Sequence, residues 1–174
     1  MFYRWPLFLV CAVALAGPVA ADPSFKLFEL ECFGNQTQQP WSVAYAGDGT
    51  FYVADMRASA VEHFDACGQL LSRWGTAGTG ENQLLWPTGI AVDRDTVYVI
   101  GITRRVKKFL TDGTFLTAFG GWPSLDVPYG VDIDRRGNVY VADLGRQNIV
   151  VFDRAGRVVR EFRTKAGIDL AIDR

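Results

Sequence analysis

The chain has 174 residues, of which 49% are hydrophobic and 21% charged, and its formal net charge is −1. That length is enough for one domain with a hydrophobic core, and the near-neutral charge argues against a basic surface that binds nucleic acid. The charge is unevenly spread, because residues 22–100 hold 4 basic and 10 acidic side chains whereas residues 101–174 hold 13 and 9. This predicts either one acidic and one basic flank or an ordinary solvated surface.

Residues 1–21 have the pattern of a secretory signal peptide. Arg4 supplies a positive start, residues 7–16 form an apolar run, and small side chains at 19–21 precede Asp22. We expect cleavage after residue 21 and a secreted or periplasmic mature protein. The alternative is an uncleaved membrane anchor, although the apolar run is shorter than the ~20 residues that a membrane span needs.

Three copies of one pattern fill residues 39–75, 86–120 and 127–163. Each copy has a proline as its second residue and continues through four short apolar runs, with a tyrosine in the second run. The prolines are 47 and 41 residues apart and the tyrosines 46 and 42. A period near forty with four apolar runs is typical of a β-propeller blade. We therefore predict an all-β fold of four-stranded antiparallel blades for residues 22–174.

The four predicted strands of each repeat are joined by tight turns. The first strands, at residues 42–45, 89–92 and 130–133, are short and apolar, as expected for strands that crowd around a central axis. Glycine or asparagine in two of the three turns that follow suits the positive φ angles of hairpin turns. Residues 76–85 form a longer, glycine-rich connection, and we predict a flexible loop on the rim, where loops often carry function.

Partial strands are predicted at both ends of the repeats. Residues 25–34 match the fourth strand of a blade, and residues 167–174 match the first strand of another. About three complete blades plus these parts fall short of the ~4–8 blades of closed rings. We therefore predict an open or incomplete arc. A truncated sequence is the interpretation that we favour, and pairing of two copies or a stable open arc are the alternatives.

Two cysteines, Cys32 and Cys67, follow the predicted signal peptide. An exported protein can form a disulfide between them. In the repeat pattern, however, Cys32 lies at the end of a fourth strand and Cys67 lies in the turn between a third and a fourth strand. Those points are at opposite ends of a blade, so we favour two separate thiols over a disulfide.

The motifs resemble the NHL repeat. They read Pro-Thr-Gly-Ile-Ala-Val-Asp at residues 87–93, Gly-Asn-Val-Tyr-Val-Ala-Asp at 137–143 and Ile-Val-Val-Phe-Asp at 149–153. This resemblance extends from about residue 25 to the C-terminus and points to a secreted, bacterial-type NHL protein. It implies a propeller, usually of about six blades, that binds proteins, ligands or, in cytoplasmic members, RNA.

The resemblance also suggests two kinds of metal site. Some secreted relatives are amidating lyases with a histidine-rich zinc site, and similar lactonase propellers hold a divalent ion with inner-strand Glu, Asn and Asp. This chain has one histidine, His63, and its inner strands offer one carboxylate near the axis, Asp132. A zinc site needs three protein ligands, and a hard cation needs more than one carboxylate. We therefore predict no metal, no cofactor and no catalytic residue.

Acidic residues recur at the ends of inner strands. Asp55 and Asp143 end the second strands of two repeats, and Asp93 and Asp134 lie in the inner hairpins. They have two interpretations: acids at the mouth of a channel, or acceptors for backbone N–H groups of neighbouring loops. We favour the second, because aspartate is common at turns for that reason.

The loops that enter the first strands should share one face with the loops between second and third strands. Trp41 and Tyr129 follow the prolines on this face. The matching inter-strand loops contribute Arg57, Arg104, Arg105 and Arg146. Aromatic and guanidinium groups on one rim can bind a peptide, a carbohydrate or an anionic ligand. Alternatively, the rings cover neighbouring blades and the arginines pair with Asp55 and Asp143.

We predict a binding or scaffold module that takes a protein, peptide or small-molecule ligand on this face. Nucleic acid is not expected as a partner, membrane contact would require an uncleaved anchor, and self-association of incomplete propellers is a further expectation. Two alternatives stay open. The chain could be a fragment of an exported propeller enzyme, amidating lyase-like or lactonase-like, with its catalytic residues in other blades, or the extracellular sensor domain of a receptor.

Overall fold

The computed structural model describes residues 37–164 and 169–172. These residues form three four-stranded antiparallel sheets and one short two-stranded pair, and no helix occurs within these ranges. The predicted all-β propeller architecture is confirmed, with each repeat forming one blade. The predicted signal peptide, the partial strand 25–34 and Cys32 lie outside the described residues.

The strands of each blade follow one another in sequence order. Blade A contains β1 (Pro40–Tyr45), β2 (Phe51–Asp55), β3 (Ala60–Phe64) and β4 (Leu70–Trp74). A connecting segment follows with β5 (Thr76–Ala77) and β6 (Gln83–Leu84), which pair in parallel. Blade B contains β7 (Pro87–Asp93), β8 (Thr96–Gly101), β9 (Arg105–Leu110) and β10 (Phe115–Gly120). Blade C contains β11 (Pro128–Ile133), β12 (Val139–Asp143), β13 (Asn148–Phe152) and β14 (Val158–Arg163).

The first strands of the three blades lie side by side on the inner side of the arc. β7 contacts β1 on one flank and β11 on the other. Thr88 Oγ1 donates to the Pro128 carbonyl at 2.9 Å, and the Ile90 N–H donates to Ser42 Oγ at 3.3 Å. These bonds add direct polar links between blades to the apolar packing.

Two hydrophobic clusters hold the blades together. One lies between blades A and B and includes Tyr52, Ile90 and Phe109, and the other lies between blades B and C and includes Val141 and Phe152. In blade B, neighbouring side chains on a strand alternate between these clusters, because successive residues point to opposite faces of a sheet. The inner strands β7 and β8 are therefore buried on both faces. Full burial of a phenylalanine of this kind contributes ~1.5–3 kcal/mol.

Glycines in the outer turns let one blade approach the outer strand of the one before it. A Cβ added to Gly113 would lie 2.5 Å from the Trp74 ring, and a Cβ added to Gly156 would lie 2.5 Å from Phe119. Both glycines have positive φ, 89° and 78°. The turn between third and fourth strands thus requires glycine for its backbone conformation and for its contact.

The connection between blades A and B is more ordered than we predicted from its glycine content. It contains the β5–β6 pair, and the Gly78 N–H donates to the Leu84 carbonyl at 3.0 Å. Leu84 is 3% exposed and packs in the cluster between blades A and B. The segment therefore folds back onto the blades through contacts that the sequence did not predict.

Residues 169–172 lie beside β11. The Ile172 N–H donates to Asp132 Oδ2 at 2.7 Å, much as the Ile90 N–H donates to Ser42 Oγ between β7 and β1. These four residues are described without strand pairing. The remainder of the predicted partial strand 167–174 is outside the described ranges, so that strand stays a prediction. In the described part of the chain, no helix has the length and apolar character that a membrane crossing requires.

Candidate loop-face binding site

Backbone hydrogen bonds show which loops share a face. The residue after each second strand donates to the residue before the first-strand proline: Met56 to Gln39 at 2.9 Å, and Leu144 to Val127 at 2.9 Å. In blade B the matching bond runs from Ile102 to Leu85 at 3.3 Å. We call this end of the arc the loop face. Its segments are residues 37–41, 56–59, 75–86, 102–105, 121–129 and 144–147.

A β-bulge follows the proline in all three blades. Pro40, Pro87 and Pro128 pair with the ends of the second strands, and the register then shifts by one residue. The extra residues are Trp41, Thr88 and Tyr129. A bulged residue leaves the ladder, and its side chain is redirected. The bulges therefore set the direction of two of the predicted site residues, a cause that the sequence pattern did not reveal.

The rings of Trp41 and Tyr129 meet although they belong to blades A and C. Their centroids are 6.3 Å apart with an interplanar angle of 49°. Both residues are half-buried. Thr88 occupies the equivalent place in blade B and is too small to separate them. The ring pair is thus a feature of the whole arc and cannot form within one blade.

Two strand-end carboxylates fix the loops around this pair. Asp55 is fully buried and accepts from the backbone N–H groups of Gln38, Gln39 and Ala58. In these positions it ties the entry of β1 to the β2–β3 loop. The contacts support the interpretation of a backbone acceptor over that of an acid at a channel mouth.

Asp143 does the same in blade C. It accepts from the N–H groups of Asp126 at 2.5 Å, Val127 at 3.0 Å and Arg146 at 3.0 Å. Blade B has Gly101 instead. A Cβ there would lie 2.7 Å from the Trp86 carbonyl oxygen. The backbone of the incoming segment therefore occupies the space that a carboxylate fills in the other two blades.

The four predicted arginines divide into two kinds. Arg104 binds Asp126 twice, through Nε to the backbone carbonyl at 2.9 Å and through Nη2 to Oδ1 at 3.1 Å. Arg146 Nη2 lies 3.6 Å from Glu161 Oε2. Neither guanidinium pairs with Asp55 or Asp143, because backbone N–H groups already occupy those carboxylates. The predicted pairing of the arginines with these two aspartates is therefore wrong.

Arg57 and Arg105 are the other kind. Both are exposed, and neither makes an ion pair with another residue in the described ranges. Arg57 lies in the β2–β3 loop and Arg105 begins β9. They leave two guanidinium groups of the loop face available to an acidic group from outside.

The structure also places exposed apolar side chains here that our sequence interpretation missed. Trp86 is 56% exposed and Trp122 is 71% exposed, and they are accompanied by Ile102 and Val127. Large exposed aromatic groups on one surface are typical of an interaction site. The sequence did contain a signal, since Trp86 directly precedes Pro87 as Gln39 precedes Pro40, and a tryptophan in a polar connection is unusual.

Two titratable side chains outside the loop face, Glu62 and His63, pack within blade A. His63 stacks on Tyr52 with centroids 4.1 Å apart, and burial lowers its pKa. Burial, together with the nearby Asp55 charge, raises the pKa of Glu62 to about 7. Among the described residues no three His, Cys, Asp or Glu side chains are grouped as metal ligands would be. Cys67 is exposed and forms no disulfide with another described residue.

No known family's sequence profile matches the chain. Over 141 residues it is 28% identical to Protein brain tumor of Drosophila melanogaster, a match that covers 79% of this chain and 14% of that protein. The chain thus spans a small part of the length of this curated relative. The similarity supports the NHL-type resemblance of the repeats.

Solved structures share the fold at low identity. Virginiamycin B lyase from Staphylococcus aureus has a TM-score of 0.58 at 15% identity, covering 75% of this chain and 43% of the lyase. A candidate exported protein of Bacteroides fragilis has a TM-score of 0.58 at 16% identity, covering 74% and 38%. These similarities show that the chain has the fold of an incomplete β-propeller. At this level of identity they show the fold and nothing about function.

Proposed function

We propose that this chain is an exported NHL-type propeller segment that acts as a protein-binding module. Its loop face would bind an extended peptide segment that carries acidic and apolar side chains. The observation that carries the proposal is the ring pair of Trp41 and Tyr129, which only the assembled arc creates. The remaining site residues in this proposal are Arg57, Arg104, Arg105 and Arg146.

The ring pair is suited to binding because its position is fixed before a ligand arrives. Bulges after Pro40 and Pro128 set the backbone, and Asp55 and Asp143 hold the adjoining loops. A preformed aromatic anchor loses little conformational entropy on association. Tryptophan, tyrosine and arginine are also the residues that contribute most at protein interfaces.

Charge favours an acidic partner. Arg57 and Arg105 are exposed and have no ion pair within the described residues. A carboxylate on the ligand could bind either guanidinium through two parallel hydrogen bonds. Arg104 and Arg146 would act differently, because each already pairs with a neighbouring carboxylate and shapes the loop around it.

Two observations support export and protein binding as parts of this proposal. The first 21 residues have a signal-peptide pattern, and one structural neighbour is named as a candidate exported protein. The similarity to Protein brain tumor supports a repeat type whose members bind proteins. N-terminal sequencing of the exported product would test the first point, with Asp22 as the expected first residue. Self-association stays a separate prediction, which the solution mass would test.

The binding site can be tested without knowing the natural ligand. Random peptides displayed on phage would be selected on the immobilised protein, and the selected peptides synthesised and titrated. We expect enrichment of Asp and Glu beside apolar residues. We also expect Trp41→Ala with Tyr129→Ala to weaken binding by about tenfold or more. Equal affinity for the double variant, or selection without acidic enrichment, would contradict the proposal.

Tyr45→Ala is the matched control for that experiment. Tyr45 lies at the other end of β1, and the centroids of its ring and the Phe51 ring are 5.4 Å apart. Its loss should leave peptide binding unchanged. Arg57→Ala with Arg105→Ala provides a second test on exposed side chains, in case the aromatic double variant does not fold. Unchanged affinity in this arginine variant would count against the acidic ligand.

A further inference from the structure

We propose that Lys107 is a latch that holds the connection between blades A and B, residues 75–86, and thereby fixes the place of Trp86 on the loop face. The side chain belongs to β9 of blade B, and its contacts are on a segment more than twenty residues earlier in the sequence. The latch would operate whether or not the loop face binds a peptide.

Lys107 Nζ is surrounded by backbone carbonyl groups of this connection. It donates to the Gly80 oxygen at 2.5 Å, to the Gln83 oxygen at 2.6 Å and to the Thr79 oxygen at 3.5 Å. An ammonium group has three donors, so all three are used. Lys107 is 4% exposed and makes no ion pair within the described residues. A buried lysine normally requires a carboxylate, and here the carbonyl dipoles take that role.

The repeat explains why only this connection needs such a latch. In blades A and C, Asp55 and Asp143 bind the N–H groups of the incoming chain. Blade B has Gly101 at that position and no carboxylate to offer. Lys107 holds the incoming chain by its carbonyl groups instead. In blade B a lysine cation thus binds backbone oxygens, whereas in blades A and C an aspartate anion binds backbone N–H groups.

The corresponding third-strand positions do not provide a second latch. The repeats place Glu62 in blade A and Val150 in blade C where blade B has Lys107. Val150 is fully buried in the apolar cluster between blades B and C. The lysine therefore serves this one connection and is not a general feature of the blade.

The latch has a direct effect on the loop face. Its acceptor Gln83 lies in β6 next to Leu84, which is buried in the blade A and B cluster. Trp86 follows two residues later, 56% exposed and with a φ of 47°. A left-handed conformation is costly for tryptophan and persists only when the surrounding chain holds it. Release of Lys107 would free the segment that imposes this conformation.

Cleavage by a Glu-specific protease tests the latch, because Glu81 lies between two of the latched carbonyl groups and is exposed. In Lys107→Met the three carbonyl groups lose their donor, while an unbranched apolar side chain of similar length remains. We expect cleavage after Glu81 to be faster by about tenfold or more than in wild type. Glu161, exposed on β14 of blade C, is the internal control and should be cut at an unchanged rate.

Lys108→Met is the matched control variant. Lys108 is the neighbouring residue, and its Nζ lies 5.2 Å from the Tyr98 ring centroid. Its substitution removes the same charge without touching the connection, so cleavage after Glu81 should match wild type. Equal cleavage after Glu81 in Lys107→Met and wild type would overturn the latch. So would a gain in Lys108→Met as large as that in Lys107→Met.

A measurement on the wild-type protein covers the case in which Lys107→Met does not fold. The N–H groups of Gly78 and Gln83 bond within the connection, to Leu84 and Gly80. If the latch holds, these amides exchange with solvent as slowly as the amides of β9. Exchange as fast as that of the exposed Asp48 turn would overturn it. Peptide binding is not needed for either result, so failure of the proposed function leaves this test unaffected.

Discussion

Trp41 and Tyr129 bring their rings to 6.3 Å from each other across the inner strand of a blade to which neither belongs. Each ring comes from the residue that a β-bulge adds after a strand-opening proline. Blade B contributes the small Thr88 at the same place. Contact between the two rings therefore reports on the assembly of all three blades.

We expect the Trp41 and Tyr129 rings to be energetically coupled. Aromatic pairs of this geometry contribute ~0.5–1.5 kcal/mol beyond the area they bury. Urea unfolding of Trp41→Ala, Tyr129→Ala and the double variant would give a coupling energy in that range. Additive losses would show that the rings act independently. The Tyr45 and Phe51 rings, in contact within one hairpin, provide a reference cycle.

Asp143→Ala should destabilise blade C strongly. Its carboxylate serves three backbone N–H groups, and their loss of a partner is expected to cost about 2–4 kcal/mol in the free energy of unfolding. Asp112→Ala is the control, because that carboxylate accepts from Thr114 in an exposed turn and water can replace it. Chemical denaturation would check both variants. Losses of equal size in the two variants would contradict the bracing role.

Gly156→Ala should cost more than Gly47→Ala, although both glycines have positive φ. The left-handed backbone alone costs ~1–2 kcal/mol for alanine, and Gly47 has open space around it. At Gly156 the new methyl group would also meet Phe119 at 2.5 Å, which adds ~1–3 kcal/mol of overpacking. Thermal unfolding of the two variants gives the comparison. Equal destabilisation would mean that Phe119 moves away from the new methyl group at little energetic cost.

Glu62 should make stability fall as pH rises. Its side chain is fully buried, and Arg73 Nε lies 3.6 Å away. Its oxygens have no hydrogen-bond partner among the described residues. Burial raises its pKa from 4.5 to about 7. The folded state thus favours the neutral acid. The contribution of neutral Glu62 to the stability of the folded protein is fully present below pH ~4.5. It is lost as pH rises through about 7, where the buried side chain must ionise.

Glu62→Gln isolates this effect, because the other titrating groups are the same in both proteins. Between about pH 5 and pH 8, the stability of wild type relative to the variant should fall by about 2–3 kcal/mol. Urea unfolding at the two pH values measures it. A difference that stays constant with pH would show that Glu62 keeps its ordinary pKa.

Much of the fold could be predicted from the sequence because its repeats are in register. The period of the prolines and tyrosines indicated three blades, and the apolar runs indicated four strands in each. The Asp55 and Asp143 contacts also agree with the favoured sequence interpretation. A strand-end aspartate has few other partners within reach, so local chemistry sufficed there.

Other features depend on distances that a single sequence does not show. The bulge at Trp41 and Tyr129 is a matter of register between strands. The contact of Gly113 with Trp74 joins residues of different blades. In the sequence, Lys107 looks like any other lysine of a strand, because its contacts come from a connection that is distant in sequence. Each depends on packing between elements, which the spacing of residues within one repeat cannot specify.

The central claim is that the loop face is a preformed binding surface. Amide hydrogen exchange of the protein with and without a phage-selected peptide tests it most directly. We predict slower exchange in residues 56–59, 102–104 and 144–147, around Trp41 and Tyr129, and no change in the turns at the other end of the blades, such as 46–50 and 135–138. Protection confined to those opposite turns, or absent from the loop face, would contradict it.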